Sequence, residues 1–197
     1  MDEAARPALA VQAVSVGPLG TNCYLVTDRA AGETLVVDPG DEGAALLERI
    51  RALNSRVVAI VNTHGHWDHT GANAALRQAT GAPLLIHEAD ASWLDSPPDR
   101  FLREGEELAV GSFRLKVIHT PGHTRGGLCL YTEGALFSGD TLFAESVGRT
   151  DLPGGSFVEL VASIREKLFA LPDETVVYPG HGPATSIGDE KSLNPYV

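Results

Sequence analysis

The chain reads as an α+β protein in which antiparallel strands come first and parallel strands follow. Three observations predict this. Near the N-terminus, three short strand-like segments are separated by tight, Gly-containing turns, which suggests an antiparallel meander. Strand, helix, strand, helix and strand then alternate, which indicates a βαβ-rich portion. Two hairpin-like pairs follow, and then an amphipathic helix and a last strand.

The elements come in this order. Leu9 to Val16 mixes β-branched and polar residues and reads as a strand, followed by the turn Gly17-Pro18-Leu19-Gly20-Thr21-Asn22. Cys23 to Thr27 is the second strand, and Asp28 to Glu33 a hairpin turn holding Gly32. Thr34 to Val37 is the third, closed by Asp38-Pro39-Gly40. From Glu42 to Leu53, apolar Ala45, Leu46, Ile50 and Leu53 recur at helical spacing, with Asp41 as the expected N-cap. The apolar run Val57 to Val61 is a buried strand. Ala72 to Thr80 is a helix ending near Gly81, and Leu84 to Ile86 a short strand. Residues 88–105 have no clear period, and Ser96-Pro97-Pro98-Asp99 marks a loop. Glu107 to Val110 and Phe113 to Ile118 form a hairpin around Gly111-Ser112. Leu128 to Tyr131 and Ala135 to Phe137 are joined by Thr132-Glu133-Gly134. Ser156 opens a helix running to about Ala170, with Phe157, Leu160, Val161, Ile164 and Leu168 as its apolar face. Thr175 to Tyr178 is the last strand.

Composition bounds the function. A chain of 197 residues with 43% hydrophobic and 21% charged side chains suits one soluble globular domain. The formal net charge of −11 argues against binding a nucleic-acid backbone. Met1 to Pro7 has no basic start followed by an apolar run, so no signal peptide is expected. No apolar stretch reaches membrane-span length, and a cytoplasmic protein is the natural expectation. Cys23 and Cys129 lie within separate strand-like segments and read as buried free thiols.

The most informative stretch is Thr63-His64-Gly65-His66-Trp67-Asp68-His69-Thr70-Gly71, on the turn that leaves the strand Val57 to Val61. A lone His on an apolar face is usually a satisfied core residue. Three His and one Asp crowded beside a strand end are costly unless something binds them. His64 and His66 are two apart, so their side chains project to one side and can share a metal. Asp68 and His69 diverge, which suits a second metal or support of the first. Imidazole and carboxylate together favour zinc, with iron or manganese as alternatives.

The same pattern recurs at other strand ends. Val37 is followed by Asp38, Ile118 by His119-Thr120-Pro121-Gly122-His123-Thr124, Phe137 by Ser138-Gly139-Asp140, and Val177 by Tyr178-Pro179-Gly180-His181. If these ends meet at one edge of a sandwich, they form a seven-ligand site. His87 and His119 read as non-ligands.

These motifs together resemble the metallo-β-lactamase-fold superfamily over nearly the whole chain. The resemblance implies an αβ/βα sandwich of two mixed sheets with helices on both outer faces, and two divalent metal ions at one edge. It implies that His64, His66 and His123 bind the first ion, and that Asp68, His69 and His181 bind the second. Asp140 would bridge the two ions, and Asp38 would brace the loop. The resemblance makes Asp68 and Asp140 the expected catalytic carboxylates. Paired metals in this family lower the pKa of a shared water and polarise a carbonyl, so that a metal-held hydroxide attacks it.

Asp140 points away from the zinc β-lactamases, which generally lack an Asp there, and towards the thioesterases, lactonases and transfer-RNA processing nucleases of the superfamily, the last disfavoured by the acidic net charge. Phe137-Ser138-Gly139-Asp140-Thr141-Leu142-Phe143, Gly148-Arg149-Thr150-Asp151 and Gly180-His181-Gly182-Pro183 are similar to the short bacterial branch of hydroxyacylglutathione hydrolases, the glyoxalase II-like proteins. That branch implies a thioester substrate such as S-lactoylglutathione. Longer members carry a C-terminal helical extension that contacts glutathione; this chain is expected to be a single domain, 1–197, without it. Arg149, and more weakly Arg125, are then candidates for binding a substrate carboxylate, with a structural salt bridge to Asp151 or another acid as the equal alternative for Arg149. Persulfide dioxygenases also resemble this chain and would use a single iron on His64, His123 and Asp140.

Overall fold

The first strand leads directly into a meander because each apolar run ends at a turn that reverses the chain. The computed structural model describes residues 9–197, so the reading of Met1 to Pro7 lies outside the described residues. β1 (Leu9–Val16), β2 (Thr21–Asp28) and β3 (Glu33–Val37) pair antiparallel. β4 (Arg56–Val61), β5 (Leu84–His87) and β6 (Arg100–Leu102) then add in parallel, giving a sheet in the order β1-β2-β3-β4-β5-β6. The crossovers carry α1 (Gly43–Ala52), a single turn α2 (Trp67–Thr70) and α3 (Asn73–Thr80).

The second sheet contains β7 (Glu107–Val110), β8 (Phe113–His119), β9 (Leu128–Thr132) and β10 (Ala135–Gly139) as an antiparallel run. A small hairpin of β11 (Leu142–Phe143) and β12 (Ser146–Val147) follows. After α4 (Phe157–Ser163), β13 (Val176–Pro179) joins β10 in parallel. β14 (Thr185–Ser186) closes the order β14-β13-β10-β9-β8-β7, and α5 (Ile187–Leu193) ends the chain.

Side-chain alternation places these sheets face to face. Tyr24 and Val26 of β2 point into the space between them, with Leu35, Val61, Leu115, Val117, Leu130 and Phe137. Cys23 and Leu25 point the other way, onto Leu46, Ile50 and Leu76 of α1 and α3. On the far side, Cys129 and Leu136 meet Leu160, Ile164 and Leu168. The result is the helix, sheet, sheet, helix layering that the family resemblance implies. Fully burying each large aliphatic or aromatic side chain stabilises the fold by roughly 1.5–3 kcal/mol. A register shift between β3 and β4 pairs Thr34 with Val57 but Leu35 with Ala59, skipping Val58. It explains why Val57 faces the helices while Ala59 and Val61 face the other sheet.

Several boundaries differ from expectation. Asp41 is not the N-cap of α1: Glu42 holds that position in a left-handed conformation, and Asp41 Oδ1 accepts from the Glu42 N–H at 2.7 Å. The helix from Ser156 does not stay α-helical to Ala170. Ser156 caps it by accepting from the Glu159 N–H, but Ile164–Leu168 forms a π turn. An α-helix carries residues four apart progressively off one line, and the wider turn brings Leu168 back under Leu160 and Ile164. Phe157, expected on the apolar face, is exposed. Residues 88–105 contain a 3₁₀ helix (Glu88–Trp93) and β6. Both cysteines are buried free thiols. Among the described residues no helix is long and apolar enough to cross a membrane.

Candidate metal centre

The C-terminal ends of β3, β4, β8, β10 and β13 all open at one edge of the sandwich. Asn22 at the start of β2 links the two sheets there, its N–H donating to the Gly180 carbonyl at 2.7 Å. This edge gathers all seven predicted side chains. His64, His66 and His123 each offer a nitrogen to one point, and Asp68, His69 and His181 converge on a second. Asp140 lies between them. Its Oδ1 is 3.4 Å from His69 Nε2, while its Oδ2 is 3.5 Å from His123 Nε2 and 3.7 Å from His181 Nε2.

Several of these side chains are aimed by a partner behind them. Asp38 is buried and accepts from the Thr63 N–H (2.7 Å) and the Thr63 hydroxyl (2.6 Å), and its Oδ2 meets His69 Nδ1 at 3.0 Å. It ties the turn after β4 to the end of β3. Thr21 donates to Asp68 Oδ2 at 2.9 Å. His123 Nδ1 lies 2.7 Å from the Arg149 carbonyl oxygen, which accepts its proton and leaves Nε2 as the lone-pair donor. Two glycines permit the crowding. A Cβ at Gly180 would press into the Asp140 carboxylate, and one at Gly148 into the Asp140 carbonyl.

The donor set fits bound divalent cations. His64 Nε2 and Asp140 Oδ1 are buried polar atoms with no hydrogen-bond partner, although such atoms are costly in a protein interior. His66 Nδ1 and His123 Nε2 approach to 2.9 Å, a spacing for two donors around one cation. Burial, reinforced by the neighbouring His69, pushes His64 well below the ordinary imidazole range. Burial and then His123 hold His66 at about 4, so both rings are neutral at pH 7. Burial also opposes protonation of His69, but Asp140 and Asp38 together outweigh it and raise the ring to about 9. The hydrogen bond to Asp68 raises His181. Burial would raise Asp68, yet His181 and His69 overcome it and hold the carboxyl below the usual range.

The centre opens into a cleft of about 460 Å³, whose walls include Leu19, Trp67, Phe143, Val147, Leu152 and Arg149. Arg149 reaches the cleft but its guanidinium is engaged by Asp151 through two bonds of 2.8 Å. Arg125 does not line this cleft. It borders neighbouring depressions, one with Trp93, Pro153 and Gly154 and another with His119 and Ser156. His87 and His119 stack on each other at 4.3 Å, away from the seven converging side chains.

Sequence reasoning missed Asp90 and Trp93. Asp90 is buried and bonds to the loops that carry His64, His66 and His123. Trp93 stacks on the His66 ring, with centroids 5.1 Å apart. The only available signal was an acid and an aromatic in a stretch without a period.

Comparison with known proteins agrees with this architecture. The model of the metallo-β-lactamase superfamily matches residues 16–181. The hydroxyacylglutathione hydrolase GloC of Haemophilus influenzae is 34% identical, the match covering 95% of this chain and 97% of GloC. The probable metallo-hydrolase YqgX of Bacillus subtilis is 36% identical, over 92% of this chain and 94% of its own. Among solved structures, the BLEG-1 B3 metallo-β-lactamase is 36% identical with a TM-score of 0.90, covering 95% of this chain and 99% of that one. ETHE1 from Myxococcus xanthus is 33% identical with a TM-score of 0.86, over 95% and 84%. TTHA1623 in a di-iron-bound form is 39% identical with a TM-score of 0.84, over 95% and 100%. By its matching family model, its relatives and its layered fold, the chain belongs to the metallo-β-lactamase superfamily.

Proposed function

We propose that the protein is a metal-dependent hydrolase that cleaves thioesters, with S-lactoylglutathione as the substrate of first choice. The observation that carries this reading is the position of Asp140, whose two oxygens face the two histidine groups from between them. His64, His66 and His123 would hold one ion, Asp68, His69 and His181 a second, and Asp140 would reach both. Bound there, divalent ions supply a water that ionises near neutral pH and an electrophile for the carbonyl.

The chain's own residues do the rest. Asp38 and Thr21 keep His69 and Asp68 from rotating as charge changes nearby. Leu19, Trp67, Phe143 and Leu152 give the acyl group apolar surface to rest against beside the centre. The residues lining the cleft include no lysine or tyrosine, and the two carboxylates both face imidazoles. A thiolate leaves without a proton, its conjugate acid having a pKa of about 8.5, which favours a thioester over an amide. Arg149 at the rim could hold a substrate carboxylate by exchanging Asp151 for it.

Oxidation of glutathione persulfide on a single iron is the second reading, and the di-iron form of the related TTHA1623 is the observation that keeps iron in view. The test is thiol release from S-lactoylglutathione by protein reconstituted with zinc, iron or manganese, beside chelator-treated protein. A lactone, a β-lactam and glutathione persulfide with O₂ complete the panel. Metal-dependent thiol release at an enzymatic rate supports the proposal. Turnover confined to the persulfide, lactone or lactam replaces it.

A further inference from the structure

We infer that Asp90 is a positioning residue that sets the spacing of the His64, His66 and His123 group; this rests on the metal reading above. Asp90 lies on the 3₁₀ helix Glu88–Trp93 after β5 and is not among the converging side chains. It is 1% exposed. Its Oδ2 accepts from the Gly65 N–H at 3.1 Å and from the Thr124 hydroxyl at 2.7 Å, and its Oδ1 accepts from the Gly126 N–H at 2.8 Å. Gly65 stands between His64 and His66, and Thr124 directly follows His123. One carboxylate therefore bonds two loops that come from different sheets and carry the same three imidazoles.

The three donors are two backbone amides and a hydroxyl, with no arginine or lysine among them. A buried carboxylate is costly unless its oxygens are fully engaged, and here the engagement is spent wholly on these two loops. Glycine permits the approach on both sides. A Cβ at Gly126 would stand 2.6 Å from Asp90 Cγ, and one at Gly65 would stand 2.9 Å from the Asp90 carbonyl oxygen. The same helical turn makes a second contact with the group, because Trp93 stacks on His66. Asp38 does comparable work for Thr63 and His69, so the two histidine groups have separate supports.

A carboxylate that merely stabilises the fold would give a different result from one that sets ligand spacing. Asp28 provides the matched reference. It is equally buried and accepts from Ala30, Ala31 and Ser112, but at the opposite end of β2 from the centre. The experiment titrates chelator-treated protein with Co(II), reading both binding isotherm and visible spectrum, for the wild type, Asp90→Asn and Asp28→Asn. Asp90→Asn keeps the volume but turns one acceptor into a donor facing donors. It is expected to weaken one equivalent of Co(II) by about 10–100-fold, the range for losing a group that orients a ligand, and to alter that equivalent's spectrum. Asp28→Asn is expected to lower the melting temperature and leave isotherm and spectrum at wild type. Thr124→Val, which removes one donor and keeps the side chain's size, should shift the same equivalent by less and serves if Asp90→Asn does not fold. Wild-type affinity and spectrum in both Asp90→Asn and Thr124→Val would overturn the inference. A wild type that binds no Co(II) would overturn the metal reading itself, and this inference with it.

Discussion

The two sheets contribute to the centre in different ways. The N-terminal sheet delivers His64, His66, Asp68 and His69 from one short turn after β4, so local chain geometry sets their spacing. The C-terminal sheet delivers His123, Asp140 and His181 from the ends of three strands, β8, β10 and β13, so their spacing depends on strand register. The first group is braced by a buried carboxylate on the neighbouring strand end, Asp38. The second approaches so closely that glycine is required at positions 148 and 180. One half of the centre is therefore a motif and the other is a consequence of the fold.

That contrast can be broken most severely at Asp140, whose two oxygens face His69 of one sheet and His123 and His181 of the other. Asp140→Ala should lower turnover by at least on the order of 10²–10³-fold, the scale of removing one charge-stabilising group from a catalytic centre. It should also bring bound metal below two equivalents, checked by elemental analysis beside the rate. Asp38→Ala should act next. It strands the Thr63 amide and His69 Nδ1 in the interior, at about 1–3 kcal/mol of stability for each orphaned group, and weakens metal binding by about 10–100-fold. Thermal melts with and without metal would separate the two effects.

A third test uses the end of the sandwich remote from the centre. Hydrogen bonds from the Ser112 and Ala31 amides hold the Asp28 carboxyl at about 2, below the ordinary value. A carboxyl lowered in the folded state contributes stability that is present above its unfolded value of about 4 and lost as pH falls towards 2. Asp28→Asn should therefore be less stable than wild type at neutral pH, and the gap should close between about pH 4 and pH 2 in acid melts. The smallest effect is expected at the rim. Because Arg149 is exposed and paired with Asp151, Arg149→Ala should raise KM several-fold for an anionic thioester with kcat nearly unchanged, the pattern of lost uniform binding.

What was legible in the sequence follows the same division. The turn after β4 was readable because its histidines are adjacent along the chain. The dispersed half was readable because each strand end places His or Asp beside Gly, which also exposed Asp38. Asp90 was not readable: nothing local marks an acid whose partners, Gly65, Thr124 and Gly126, lie far along the chain. β11, β12 and β14 are two residues each, too short to show alternation. α5 has too few apolar residues to show a helical face, since it buries only Ile187 and Glu190. The Arg149–Asp151 pair was visible as a spacing, but its two-bond closure depended on backbone path. Asp41 carried the residue type of an N-cap, yet the left-handed backbone at Glu42 moved the cap by one position.

The most direct test is anomalous diffraction from crystals of the metal-loaded protein. The account predicts two peaks, one bound by His64, His66 and His123 and the other by Asp68, His69 and His181, with Asp140 coordinating both. A single peak held without His69 and His181, or two peaks with Asp140 bound to neither, would contradict it.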